Sequence, residues 1–135
     1  MKIFDVQAID LNVPRSSAFA FVADPAQLPR WTNAFSSIAG DRAVMRTPDG
    51  EIEIALNVQS SDKHGTVDWE MIFPDGSSAT AFSRIVGIAP DRCILSFVLT
   101  PPPVALEQLE GTLAAQSQTL SEELKRLKSI LEHDG

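Results

Sequence analysis

The chain has 135 residues, 44% apolar and 21% charged, which is enough for one domain with a real core and too apolar for a disordered segment. A net charge of −7 argues against nucleic acid and anionic membrane surfaces as partners, and no apolar run approaches the length of a membrane span. The single cysteine, Cys93, excludes an internal disulfide, and with no apolar leader at the N-terminus it fits a reducing cytoplasm.

Residues 3–13 are rich in β-branched and apolar types, with Ile9, Leu11 and Val13 on one face, and predict a strand that Pro14 ends. Ser16 or Ser17 is placed to cap a short helix carrying Phe19, Phe21 and Val22. Asp24-Pro25 has the form of an N-cap followed by proline at the first helical position, and Pro29 keeps that second helix very short. Trp31 follows, at the mouth of the next segment. From Ala34 onward the pattern is β. Short strands are expected over 36–40 and 41–47, and Pro48-Asp49-Gly50 is a turn. Residues 51–59 alternate, with Ile52, Ile54, Leu56 and Val58 inward; residues 66–73 do the same with Val67, Trp69, Met71 and Phe73. Pro74-Asp75-Gly76 turns the chain into a longer strand over 78–88. Ala89-Pro90-Asp91 turns it again, and a last strand spans 92–100.

Pro101 to Pro103 stop the β pattern. Leu106, Leu109, Leu113, Leu120, Leu124, Leu127 and Leu131 then recur at the spacing of one helix face. A continuous helix from there to Glu132 would be about 45 Å long, with Lys125, Arg126 and Lys128 at its C-terminal end and Glu122–Arg126 as an i,i+4 pair on its wet face. Gly111 falls inside it, and its missing side chain predicts that a ligand or a strand comes close to the helix there. Leu106, Leu113, Leu120 and Leu127 form a heptad series, but Gln116 and Glu123 interrupt the companion positions. Packing on a sheet is therefore preferred to a zipper, with a homodimer left open. The whole chain, 1–135, reads as a single α+β domain: six to seven antiparallel strands whose inner face is covered by the C-terminal helix, with two short helices after the first strand.

This order, and the stretch Val13-Pro14-Arg15-Ser16-Ser17-Ala18-Phe19-Ala20-Phe21-Val22-Ala23-Asp24-Pro25 with Leu28-Pro29-Arg30-Trp31 after it, resembles the START-like or SRPBCC superfamily, its polyketide cyclase/dehydrase-like members above all. The motif covers residues 11–31 and consists of structural positions. The resemblance implies a helix-grip fold, in which a curved antiparallel sheet wraps a long helix and leaves an apolar cavity. Members of the superfamily bind lipids, sterols, polyketides or plant hormones there; some are cyclases, some carriers, and some bind proteins. Such a fold does not fix a function, which must be argued from the site.

Few chemical constellations are present. His64 and His133 are the only histidines and neither belongs to a ligand-spaced cluster, so no metal and no other cofactor is expected. There is no G-x-S-x-G motif, and Cys93 lies in an apolar strand as an inert buried thiol. Alternation puts Glu51, Glu53, Asp68 and Glu70 on the solvent face, which leaves no carboxylate inside for acid–base work. Asp5 and Gln7 share the phase of Ile9 and Leu11 and could point inward near one end; an exposed strand end explains them equally well and is preferred. The expected cavity residues are Trp31, Trp69, Met71, Phe82, Leu109, Gly111 and Leu113, with plain core as the alternative for the two tryptophans. Arg84 joins them if the bulky phase of its strand (Phe82, Arg84, Val86, Ile88) faces the helix, where it would anchor an acidic ligand head; if that phase faces outward, Arg84 lies beside Asp68 or Glu70 in solvent. The expected partner is a small hydrophobic or amphipathic molecule held between sheet and helix. A cyclase-like enzyme would instead require an inward carboxylate of raised pKa in the same cavity. A protein-interaction module would require a filled cavity and a large exposed apolar patch.

Overall fold

A computed structural model describes residues 3–47, 50–100, 107 and 112–134. Strand β1 (Asp5–Leu11) is followed by helix α1 (Arg15–Val22), a 3-10 turn (Pro25–Gln27) and the single helical turn α2 (Leu28–Trp31). Strands β2 (Phe35–Ala39), β3 (Arg42–Thr47), β4 (Gly50–Ser61), β5 (Thr66–Ile72), β6 (Ser78–Ala89) and β7 (Arg92–Leu99) come next, and helix α3 (Leu113–Asp134) closes the chain. The strands form one antiparallel sheet in the order β1-β7-β6-β5-β4-β3-β2. β2 to β7 are a meander, because each turn between them is too short for anything but a hairpin. β1 adds to the far side of β7, so the first and last strands of the chain are neighbours.

The segment after β1 follows its sequence closely, with one correction. Helix α1 begins after Pro14, which has extended dihedrals and no side chain to cap with; Ser16 and Ser17 lie inside the first turn and do not cap it. Proline already fixes the entry angle, so the missing cap is tolerated. Asp24 does cap: its carboxylate accepts from the Ala26 amide at 3.1 Å, with Pro25 at the first position of the turn. Pro29 sits in the first turn of α2 rather than ending a helix, and this places Trp31 at the end of that turn, 2% exposed.

The inner face carries the core. Val67, Trp69, Met71 and Phe73 are all buried, as the alternation of β5 requires, and so are Ile54 and Leu56 of β4 and Cys93, Leu95 and Phe97 of β7. β6 is set the other way round from its bulk. Its small phase points inward: Ser83 and Ile85 are buried, whereas Phe82 is 41% exposed and Arg84 is exposed as well. The cross-strand register gives the reason. Trp69 of β5 is paired with Ala81, and Phe97 of β7 with Ser83. The two rings stack, 5.2 Å between centroids, across the strand that separates them. Large side chains on both neighbours leave room only for small ones between them. Phe82 and Arg84 therefore face solvent, the outward of the two orientations considered for Arg84; it is paired with Thr66, with Asp68 diagonal to it on the same face. Phe82 shares an outer row with Val98 and Val6, the last 55% exposed.

Helix α3 begins later than the leucine spacing predicts. The Thr112 hydroxyl accepts from the Ala115 amide at 3.3 Å and its carbonyl from the Gln116 amide at 2.9 Å, the geometry of an N-cap. Thr112 itself is not helical, so one unbroken helix from Pro103 is excluded. The 22 residues that remain span about 33 Å. Leu120, Leu124, Leu127 and Leu131 are buried against the sheet, while Leu113, in the first turn, is only half-buried. Leu106, Leu109 and Gly111 lie outside the described residues, as do Pro48 and Asp49 of the expected turn.

Polar ties hold both ends of α3. The Ser117 hydroxyl donates to the Asp5 carboxylate at 2.6 Å, and the Gln7 amide bridges Asp5 at 2.8 Å and the Ser117 carbonyl at 2.7 Å. Asp5 is 3% exposed, so the exposed strand end expected for it is corrected: it faces the helix, in phase with Ile9 and Leu11. At the other end Lys128 bridges Asp10 and Glu132, and Glu132 accepts from the Asn12 amide at 2.9 Å. Arg126 donates to the Trp31 carbonyl at 3.2 Å in place of the expected pair with Glu122.

Candidate functional site

Between α3, α2 and the ends of β5 to β7 lies a partly open cavity of about 110 Å³. Its walls are aromatic and aliphatic: Trp31 and Phe35 at one side, Trp69, Met71 and Phe97 across the sheet, Leu120 above. Trp31 meets Trp69 edge to face, 6.2 Å between centroids, so three rings run in series along the wall. The cavity exists because β6 contributes only Ala79, Thr80 and Ala81 at its floor. The indole Nε1 atoms of both tryptophans are buried and have no hydrogen-bond partner among the described residues.

One edge of the cavity is polar. Gln116, Thr119 and Glu123 reach it from successive turns of α3, opposite Thr80 and Thr100. Glu123 is the only titratable side chain among the described residues that line it. It accepts from the Asn33 amide at 2.7 Å, holding the chain where it leaves α2. Burial pushes its carboxyl up to about 7, against the lowering effects of that amide and of Arg126. No ion pair is formed by Glu123 among the described residues.

This carboxyl gives the chain a specific pH response. A folded-state value above the unfolded one means that the folded protein holds the extra proton between pH 4.5 and about 7. Stability should therefore fall as pH rises through that window. The full difference corresponds to about 3 kcal/mol, and contact with water at the half-buried site reduces the expected loss to about 1–2 kcal/mol. Urea unfolding across the window should show this loss, and Glu123→Gln should remove it. An equal slope in both proteins would assign the effect elsewhere.

Of the residues singled out by sequence, Trp31, Trp69 and Met71 line the cavity together. Phe82 and Arg84 lie on the opposite face of the sheet, and Leu113 is not in the wall. Leu109 and Gly111 are outside the described residues. Glu123 and Gln116 were missed as site residues, although their polarity at leucine-phase positions was visible in the sequence. Cys93 is fully buried, and burial pushes its thiol up, as an inert core position requires. Among the described residues no group of three or more His, Cys, Asp or Glu could hold a metal, and no helix is long and apolar enough to cross a membrane.

No protein-family model matches the chain, and no curated protein matches it. Solved structures do. A START superfamily protein from Mycobacterium smegmatis superposes with a TM-score of 0.68 at 13% identity, over 99% of this chain and all of the other. The Aha1 dimer protein from Colwellia psychrerythraea gives 0.66 at 14% identity, over 98% of each chain. The di-domain aromatase/cyclase BexL of the BE-7585A biosynthetic pathway gives 0.65 at 11% identity; this chain is 98% covered and spans 46% of it. At these identities the likeness is one of fold.

Proposed function

From the START-like helix-grip fold that this chain adopts, we propose that it binds a small apolar or amphipathic molecule in the cavity between α3 and the sheet. The observation that carries this reading is the cavity itself: three stacked or edge-packed rings and one polar edge between helix and sheet. Apolar walls supply affinity and the few polar groups supply orientation. A closed cavity of about 150 Å³ takes benzene; this one is about 110 Å³ and open at its mouth, which suits a single ring with its substituent in the mouth better than a long acyl chain. This narrows a lipid or polyketide-like ligand to a compact one, or to a ring with a tail leaving through the mouth. The protein is taken to act in the cytoplasm, in keeping with its one reduced, buried thiol.

The test is a titration with benzyl alcohol read by tryptophan emission. Both tryptophans of the chain line the cavity, so emission should change saturably. A linear response, like that of free tryptophan, would count against the cavity.

A catalytic reading has one observation in its favour. Glu123 is the inward carboxylate of raised pKa that a cyclase-like enzyme requires, and it comes from the helix, where strand alternation could not reveal it. On that reading Glu123 takes a proton from the bound molecule, and its replacement by Gln abolishes turnover while binding persists.

A further inference from the structure

We infer that the cavity selects a small ring molecule bearing a cationic amine, with its ammonium group on the Glu123 carboxylate and its ring among Trp31, Trp69 and Phe97. The inference rests on the binding reading above and names the ligand class for that site.

Three separate features point to it. The first is the carboxylate. One oxygen of Glu123 takes the Asn33 amide, and its remaining acceptor capacity is unused among the described residues. A half-buried carboxylate is stabilised most by a cation that also donates hydrogen bonds. Neither cation nearby forms an ion pair with it: Arg126, which acts on it through space, donates to the Trp31 carbonyl, and Arg46 of β3 donates to the Asn33 carbonyl at 3.1 Å. The second is the wall. Aromatic faces attract cations through their quadrupole, and more so where water is excluded. The third is the overall charge of −7, which favours approach of cations and disfavours anions. An acidic ligand, the class that Arg84 would have selected, finds no cationic side chain among the described residues of the wall.

The charges facing Glu123 are few. On its own helix they are Arg126, which favours the ionised form, and Glu122, which opposes it. From the link between α2 and β2 the cavity receives Thr32 and Ala34, from the start of β2 Phe35, from β6 Thr80 and from the residue after β7 Thr100, none of them titratable. Ionisation of Glu123 therefore governs the preference. An alkylamine stays protonated throughout the relevant range, so the cation should bind better as pH rises through about 7.

The experiment compares benzylamine, benzyl alcohol and benzoate by calorimetry on the full chain. At about pH 8 benzylamine should bind about tenfold more tightly than benzyl alcohol, with benzoate weakest; at about pH 5.5, where Glu123 is protonated, the gap should close. Glu123→Gln keeps an acceptor for the Asn33 amide but removes the charge, and should bring amine and alcohol affinities together. Glu122→Gln makes the same change of net charge on the exposed side of the helix and should keep the preference. Binding of the alcohol without preference for the amine overturns the inference and leaves the cavity reading standing. So does a preference that survives in Glu123→Gln or does not vary with pH. Binding by none of the three overturns both. Should Glu123→Gln fail to fold, the pH series on the unaltered protein decides alone.

Discussion

Trp69→Ala should destabilise the protein by about 3–5 kcal/mol. Trp69 is 4% exposed, stacks on Phe97 and packs against the edge of Trp31. Removing it would join its volume to the existing cavity and leave two rings without a partner, and the surrounding strands can collapse only in part. Such a loss is a large share of the total stability of a domain this size. The sequence alone left core and cavity wall as alternatives for Trp69. The structure makes it both wall and core. Urea unfolding followed by circular dichroism checks the prediction, with Trp69→Phe expected to cost clearly less. A loss under about 1 kcal/mol for the alanine variant would mean that Trp69 carries little of the packing.

A comparable loss, about 2–4 kcal/mol, is expected for Gly65→Ala in the turn between β4 and β5. Gly65 has φ of +70°, and a Cβ there would run into the Ile85 carbonyl oxygen and lie 3.1 Å from an Arg15 guanidinium nitrogen. The backbone carbonyl is the obstacle that cannot move easily, whereas the end of the Arg15 side chain can give way at the cost of its ties to Asp62. The Ile85 amide donates to the Gly65 carbonyl at 2.8 Å, and Arg15 is held by the Asp62 carbonyl and carboxylate. Gly40 provides the comparison, with φ of +61° and nothing within 4 Å of the added carbon. Gly40→Ala should show backbone strain alone, about 1 kcal/mol. Equal losses at the two sites, measured by thermal or urea unfolding, would mean that the close approach of β6 to the turn is unimportant.

Strand alternation was readable wherever one face is uniformly bulkier than the other. It placed Val67, Trp69, Met71 and Phe73 inside without ambiguity, and the Asp24-Pro25 cap was equally plain. It failed on β6, whose orientation is set by Trp69 and Phe97 on the neighbouring strands and not by its own residues. Cross-strand register is non-local, and a single strand does not contain it. That one inversion put Phe82 on the outer face and, of the two orientations open to Arg84, selected the outward one, which leaves Glu123 as the titratable side chain among the described residues of the cavity wall. The helix start failed for a local reason: a leucine repeat continues across Thr112, and a cap is a weaker signal than a periodicity. Glu123 was in view as an interruption of the leucine face. What the sequence could not supply was the cavity that leaves room for it there.

A ligand site between α3 and the sheet should reveal itself in the amide and indole chemical shifts during a benzyl alcohol titration. The indole N–H groups of Trp31 and Trp69 give two separate signals, each from a buried donor without a partner among the described residues and so sensitive to any new neighbour. Both should move in a saturable way, together with the backbone amides of Gln116, Leu120 and Glu123 on the facing helix. Val6, Phe82 and Val98, on the outer row of the sheet, should stay in place. Movement confined to that outer row, with the two indole signals unchanged, would mean that the cavity is not a ligand site.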